Sequence, residues 1–183
     1  LSKVLGEEMC ISYFRSQRVP VTIFRFALVF ATDEILNFRQ FYLDYWQNLY
    51  AQRTTGTAAE TRKHLFNHQT EKLVIARDKN GRSYQKHVLD VRDLVRAFQS
   101  SIGKKQAMGE VFQLAAPEPF AWETTIPYLA QSLELEYIDL CLFDQTPTFY
   151  QFDLKKSKEK IGFQPKYDVF NTIDYALNYR SKT

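Results

Sequence analysis

Apolar residues recur at helical spacing from the first position: Leu1, Leu5, Met9 and Tyr13, flanked by Val4, Cys10 and Phe14, predict a helix over residues 1–17. No capping residue precedes that pattern and the chain does not begin with Met, so the expectation is a truncated helix and a truncated chain. Residues 21–30, Val-Thr-Ile-Phe-Arg-Phe-Ala-Leu-Val-Phe, form a near-continuous run rich in β-branched and aromatic side chains. Such runs belong to strands covered on both faces, as in parallel sheets. Residues 35–53 carry Phe38, Phe41, Tyr42, Tyr45, Trp46 and Leu49 and predict a helix with one aromatic side, followed by a small, polar loop over 54–60.

Residues 73–76 and 84–89 predict the arms of a hairpin turned at Asn80-Gly81, a pair that readily supplies positive φ. Asp90 is placed to cap a helix over 91–101, with Asp93 in the first turn, where the dipole favours an acid. A strand over 109–116 and a helix over 122–133 follow, the latter bent or tightened near its start by Pro127. Residues 136–142 predict another strand, and Asp153 caps a short helix over 154–161 that Gly162 stops. A last amphipathic helix covers 169–179.

Composition adds little that the pattern lacks. A chain of 183 residues, 45% hydrophobic and 25% charged, buries one sizeable core, and fifteen Phe and eleven Tyr suggest a thick core or one surface awaiting a partner. The formal charge of +3 is too slight an excess to imply nucleic acid or membrane. No apolar run is long enough to span a bilayer, no signal-peptide layout opens the chain, and Cys10 and Cys141 are isolated thiols, so a reducing, cytoplasmic setting is the default expectation.

Two side-chain groups invite and then resist a chemical reading. His64 and His68 stand four apart, but a third ligand is not evident and Arg62, Lys63 and Lys72 oppose a cation, so no metal is expected. Asp90 and Asp93 could pose as paired carboxylates, yet helix capping explains both more economically. The aromatic stripe from Phe38 to Tyr50 is open between core, dimer surface and a wall over a substrate ring.

Four segments, in order and covering nearly the whole chain, resemble the extended short-chain dehydrogenase/reductases, the NAD-dependent epimerase/dehydratase family. Leu1-Ser2-Lys3-Val4-Leu5-Gly6-Glu7-Glu8 is similar to the S-K-x-x-G-E-x that closes the family's Tyr-x-x-x-Lys motif. Pro20 to Phe30 resembles P-V-x-I-L-R-P-x-N-V-Y-G, with Leu28 in place of the family's asparagine and Ala31-Thr32 in place of its Gly-Pro. Lys86 to Ala97 runs without a gap against R-D-F-x-H-V-D-D-x-x-x-A. Gly109 to Leu114 with Pro117-Glu118-Pro119 is similar to G-E-V-F-N-I-G-G-P-E-P; near the end, Asp153 to Ser157 and Ile161 to Pro165 match D-x-x-K-A and L-G-W-x-P.

The resemblance implies an α/β fold: the C-terminal part of a Rossmann-type parallel sheet, from residues 1–33 and about 90–118, plus a small α/β substrate-binding subdomain from about 34–89 and 119–183. The dinucleotide-binding half, with its Gly-rich turn, would lie outside the chain. It implies NAD or NADP as cofactor, a small-molecule substrate of nucleotide-sugar type, and a homodimer. Lys3 would be the catalytic lysine, which binds the nicotinamide ribose and favours the tyrosinate; its tyrosine would fall in the second position upstream of Leu1. Ala27 and Leu28 would face nicotinamide and substrate beyond the carboxyl ends of parallel strands. Lys86 would replace the arginine that clamps the substrate diphosphate, keeping the charge but losing the fork. Leucine at 28 neither donates nor accepts, which keeps open an alternative, a non-catalytic ligand-binding or regulatory protein on the same fold. The chain alone is expected to be inactive.

Overall fold

The structure, a computed structural model, describes residues 1–142 and 149–182. In chain order the elements are α1 Ser2–Gln17, β1 Thr22–Phe26, β2 Leu28–Phe30, α2 Leu43–Tyr50, α3 Gly56–Phe66, β3 Leu73–Arg77, β4 Gln85–Lys86 and β5 Val88–Asp90. They continue with α4 Val91–Ser101, β6 Glu110–Leu114, β7 Phe120–Ala121, α5 Trp122–Leu133, β8 Tyr137–Cys141, α6 Lys155–Ile161 and α7 Val169–Arg180. The chain divides into two compact units, and residues 152–168, which the sequence reading groups with the second, pack with the first.

The first unit comprises Leu1–Ala31, His87–Glu118 and Phe152–Asp168. The run at 21–30 is two strands, not one. β1 pairs in parallel with β6, from Thr22 opposite Glu110 to Phe26 opposite Leu114. At Ala27, whose N–H donates to the Leu114 carbonyl at 3.0 Å, the chain changes neighbours, and β2 pairs in parallel with β5. The apolar run is therefore explained by two parallel ladders, but it is not covered on both faces: Phe26 and Leu28 are half exposed.

The core of this unit gathers Ala27, Leu89, Ala97, Phe112, Leu114, Ile161 and Phe163, with Phe24, Val29 and Leu94 packed against it. Asp90 caps α4 as expected, its Oδ1 accepting the Arg92 N–H at 2.8 Å. Asp153 accepts the Lys155 N–H at 2.8 Å, and α6 ends at Gly162 in the left-handed region. The fully buried Ser157 donates its hydroxyl to the Gln113 carbonyl at 2.5 Å, fixing α6 on β6. α1 buries no residue, and its Val4, Leu5, Met9 and Tyr13 are exposed.

The second unit comprises Thr32–Lys86, Pro119–Gln151 and Val169–Thr183, with 143–148 and 183 outside the described residues. The helix expected over 35–53 is broken into 3-10 turns at Glu34–Asn37 and Arg39–Phe41 followed by α2. Tertiary hydrogen bonds override the periodicity. The Leu43 N–H donates to the Lys72 carbonyl at 2.9 Å, and the Gln40 carbonyl accepts the indole N–H groups of Trp46 (3.0 Å) and Trp122 (3.4 Å) instead of a helical amide. The expected loop over 54–60 is already α3 from Gly56, where Ala58 and Ala59 supply helix propensity.

The turn at Asn80-Gly81 forms, with Gly81 at φ 78° and the buried Asp78 carboxylate accepting the Asn80 and Arg82 N–H groups. The hairpin ladder stops after its first rungs, in which the Asp78 N–H donates to the Arg82 carbonyl at 2.9 Å and the Tyr84 N–H to the Ala76 carbonyl at 2.8 Å. Beyond a bridge between Arg77 and Ser83, β3 instead pairs in parallel with β8, while β4 pairs antiparallel with β7 and β5 joins β2 in the other unit's ladder. Arg77 fastens this face with ion pairs to Asp139 (2.8 Å) and Glu123 (2.9 Å). Among the described residues no helix is long and apolar enough to cross a membrane.

Candidate functional site

In the first unit, β1 and β6 run parallel and end together, so the residues just beyond Phe26 and Leu114 occupy the place where parallel sheets bind ligands. Those residues are Ala27 and Leu28 on one side and Ala115 and Ala116 on the other. Ala27, Ala115 and Ala116 are buried, the first two in the core of this unit. Leu28 is 47% exposed, an apolar surface beside that floor. Lys3 lies in the first turn of α1, exposed, and its ammonium makes no hydrogen bond or ion pair among the described residues.

His87 has a structural part in this floor that its sequence position does not announce. It is 1% exposed. Its Nδ1 accepts the Phe152 N–H at 3.0 Å, so the proton sits on Nε2, which donates to the Ala116 carbonyl at 2.8 Å. The ring stacks on Phe152 at 5.7 Å, and the Ala116 N–H donates to Val88 at 2.7 Å, so residue 116 is held from both of its backbone groups. Burial pushes the imidazole pKa down from its ordinary value of 6.5.

The unfolded chain takes up a proton on His87 at higher pH than the folded chain does, so this residue's contribution is complete above about pH 6.5 and is lost as pH falls through the depressed folded value. Unfolding free energy measured by denaturant titration is expected to fall between pH 7 and 5, and His87→Gln to flatten that slope; an unchanged slope would show that the ring does not report on this floor.

Lys86 belongs to the second unit, on β4. Its Nζ donates to the Gln40 Oε1 at 2.6 Å and lies 5.1 Å from the Phe38 ring centre and 5.9 Å from that of Trp122. Burial pushes its pKa down. Gln40 could not be singled out from sequence, because it lies 46 positions from Lys86 in a stretch that reads as helix surface.

The remaining candidates resolve structurally. Asp90 is a cap and Asp93 is fully buried on backbone donors, so neither stands as an acid/base pair. The His64 and His68 rings are 5.7 Å apart, but His68 lies past the end of α3, and among the described residues no group of three ligating side chains forms. Of the aromatic stripe, Phe41, Trp46 and Tyr50 are core, with Phe41 edge-on to Trp122 at 5.4 Å.

No family model matches the sequence. A search of curated proteins likewise returns no match. Solved structures do match in fold. A short-chain dehydrogenase/reductase superfamily protein from Agrobacterium tumefaciens, solved with bound NAD, superposes with a TM-score of 0.82 at 24% identity over 98% of this chain and 56% of that one. UDP-glucuronic acid 4-epimerase from Bacillus cereus, in complex with UDP-glucuronic acid and NAD, gives 0.64 at 16% identity over 98% and 51%. UDP-glucose 4-epimerase from Thermotoga maritima, with UDP-glucose, gives 0.63 at 19% over 98% and 52%. The chain has the α/β fold of part of these Rossmann-type proteins and spans about half the length of each.

Proposed function

We propose that this chain is the substrate-binding half of an NAD(P)-dependent oxidoreductase of the epimerase/dehydratase type, acting on a small molecule of nucleotide-sugar kind. The observation that supports it most is the exchange of strand partners at Ala27, which puts a floor of small side chains at the ends of two parallel strands. The small side chain of Ala27 supports a nicotinamide ring at this strand end, and Lys3, whose ammonium has no partner among the described residues, supports the lysine role. The dinucleotide supplies the hydride carrier. In this reading Ala27 abuts the nicotinamide, Leu28 lines the substrate and Lys86 steadies an anionic substrate group. Lys3 holds the ribose and lowers the pKa of a tyrosine two positions upstream of Leu1.

Homodimerisation through α1 is part of the same reading, supported by the exposed Val4, Leu5, Met9 and Tyr13. By itself the 183-residue chain is expected to give no change in nicotinamide absorbance with any sugar nucleotide, and turnover by this chain alone would refute the assignment. In a chain extended by the dinucleotide-binding half, Lys3→Met is expected to lower kcat by about 10²–10⁴-fold, the range of an acid/base device. A second reading, a ligand-binding or regulatory protein without chemistry, is favoured by Leu28 and Lys86, which stand where the family has asparagine and arginine. It predicts dinucleotide binding by the extended chain with no hydride transfer.

A further inference from the structure

The environment of Lys86 bears on what that anionic group is. A lysine has three N–H donors and, unlike arginine, no fixed fork. One donor is spent on the Gln40 Oε1, and the rings of Phe38 and Trp122 flank the ammonium. Gln40 is itself fixed, because its carbonyl accepts both indole N–H groups and its Nε2 donates to the Tyr45 hydroxyl at 3.4 Å, which turns the amide oxygen toward Lys86. No carboxylate pairs with Lys86 among the described residues, and Gln40 and Trp122 meet no other cationic side chain there.

We propose that Lys86, positioned by Gln40 between Phe38 and Trp122, receives a single carboxylate of the substrate, so that the substrate is a sugar acid bound here through its monoanion and not through a diphosphate. The proposal rests on the reading of this unit as substrate-binding. Charge decides between the two anions. Among the described residues Lys86 is the one cation at this point, so one carboxylate brings it to neutrality, whereas a diphosphate would exceed both its charge and its two remaining donors. Burial disfavours the bare ammonium, which a monoanion corrects.

The test is a titration of the 183-residue chain, followed by NMR at the Trp122 indole and the Gln40 side-chain amide, with glucuronate, with neutral glucose and with inorganic pyrophosphate. Glucuronate is expected to shift both signals to saturation, glucose not to, and pyrophosphate to bind more weakly. Lys86→Met is expected to weaken glucuronate about tenfold, the scale of one charge-assisted hydrogen bond. Lys86→Gln serves if the methionine variant does not fold, and Gln40→Leu should weaken glucuronate as well. Tighter, Lys86-dependent binding of pyrophosphate overturns the monoanion and leaves the substrate-binding reading standing. Signals that no anion moves, or that move equally without Lys86, overturn both.

Discussion

Asp93→Ala is expected to lower the unfolding free energy by about 3–5 kcal/mol, because removing one member of a buried polar set leaves the others unsatisfied. The side chain is fully buried in the first turn of α4. One carboxylate oxygen accepts the N–H groups of Lys166 and Tyr167, each at 2.9 Å, and the other pairs with Arg96. Burial pushes its pKa up, against the pull of these donors. The residue thereby fastens the segment after α6 to α4, and Arg92 stacks on the Tyr167 ring at 3.7 Å over the same joint. Alanine strands two backbone donors and a guanidinium. Asp93→Asn retains an oxygen for the two N–H groups but turns an amide donor toward Arg96, so about half the loss is expected. Equilibrium denaturation of both variants checks the order; equal losses would mean that the ion pair, not the backbone donors, dominates.

Asp93 also marks how far sequence reading reaches. Its place in a first turn is local, and the helix it opens is found where periodicity and the Asp90 cap put it. The same holds for β6, α5, β8, α6 and α7, each bounded by signals within a few residues. What Asp93 holds, 73 and 74 positions away, carries no local signature. Likewise the helix expected over 35–53 fails because Lys72, Trp46 and Trp122 take up its backbone groups, and the hairpin stops short because its return arm pairs elsewhere, Gln85–Lys86 with Phe120–Ala121 and Val88–Asp90 with Leu28–Phe30. For the site, the motifs put Ala27 and Leu28 beyond the carboxyl end of one strand; β1 ends at Phe26, and Leu28 opens β2 beside a new neighbour, a change of partner that the apolar run hid. Gln40 and the hydrogen bonds of His87 needed coordinates, since each depends on residues 29 to 82 positions apart.

Gly109→Ala is expected to cost about 2–4 kcal/mol, from two sources that can be separated. Gly109 sits at φ 74°, in the left-handed region, with its N–H donating to the Val21 carbonyl at 2.6 Å, so the turn before β6 is fixed against the start of β1. An L side chain there costs about 1–2 kcal/mol whatever the space. A Cβ would also overlap the Phe14 ring of α1. Relieving that overlap displaces either the ring or the helix, and α1 buries no side chain that would resist, its other tie to β1 being the exposed pair of Glu7 and Arg25 at 2.5 Å. Adding Phe14→Ala to Gly109→Ala should therefore recover the overlap part and leave the φ part, giving a double-mutant coupling of about 1 kcal/mol or more. Hydrogen exchange should show the single variant loosening α1 while β1 and β6 stay protected. Since α1 carries Lys3, the same substitution in an extended chain should lower kcat through a helix that no longer docks, and adding Phe14→Ala should restore part of it. Additive effects of the two substitutions on stability would show that Phe14 and residue 109 do not meet.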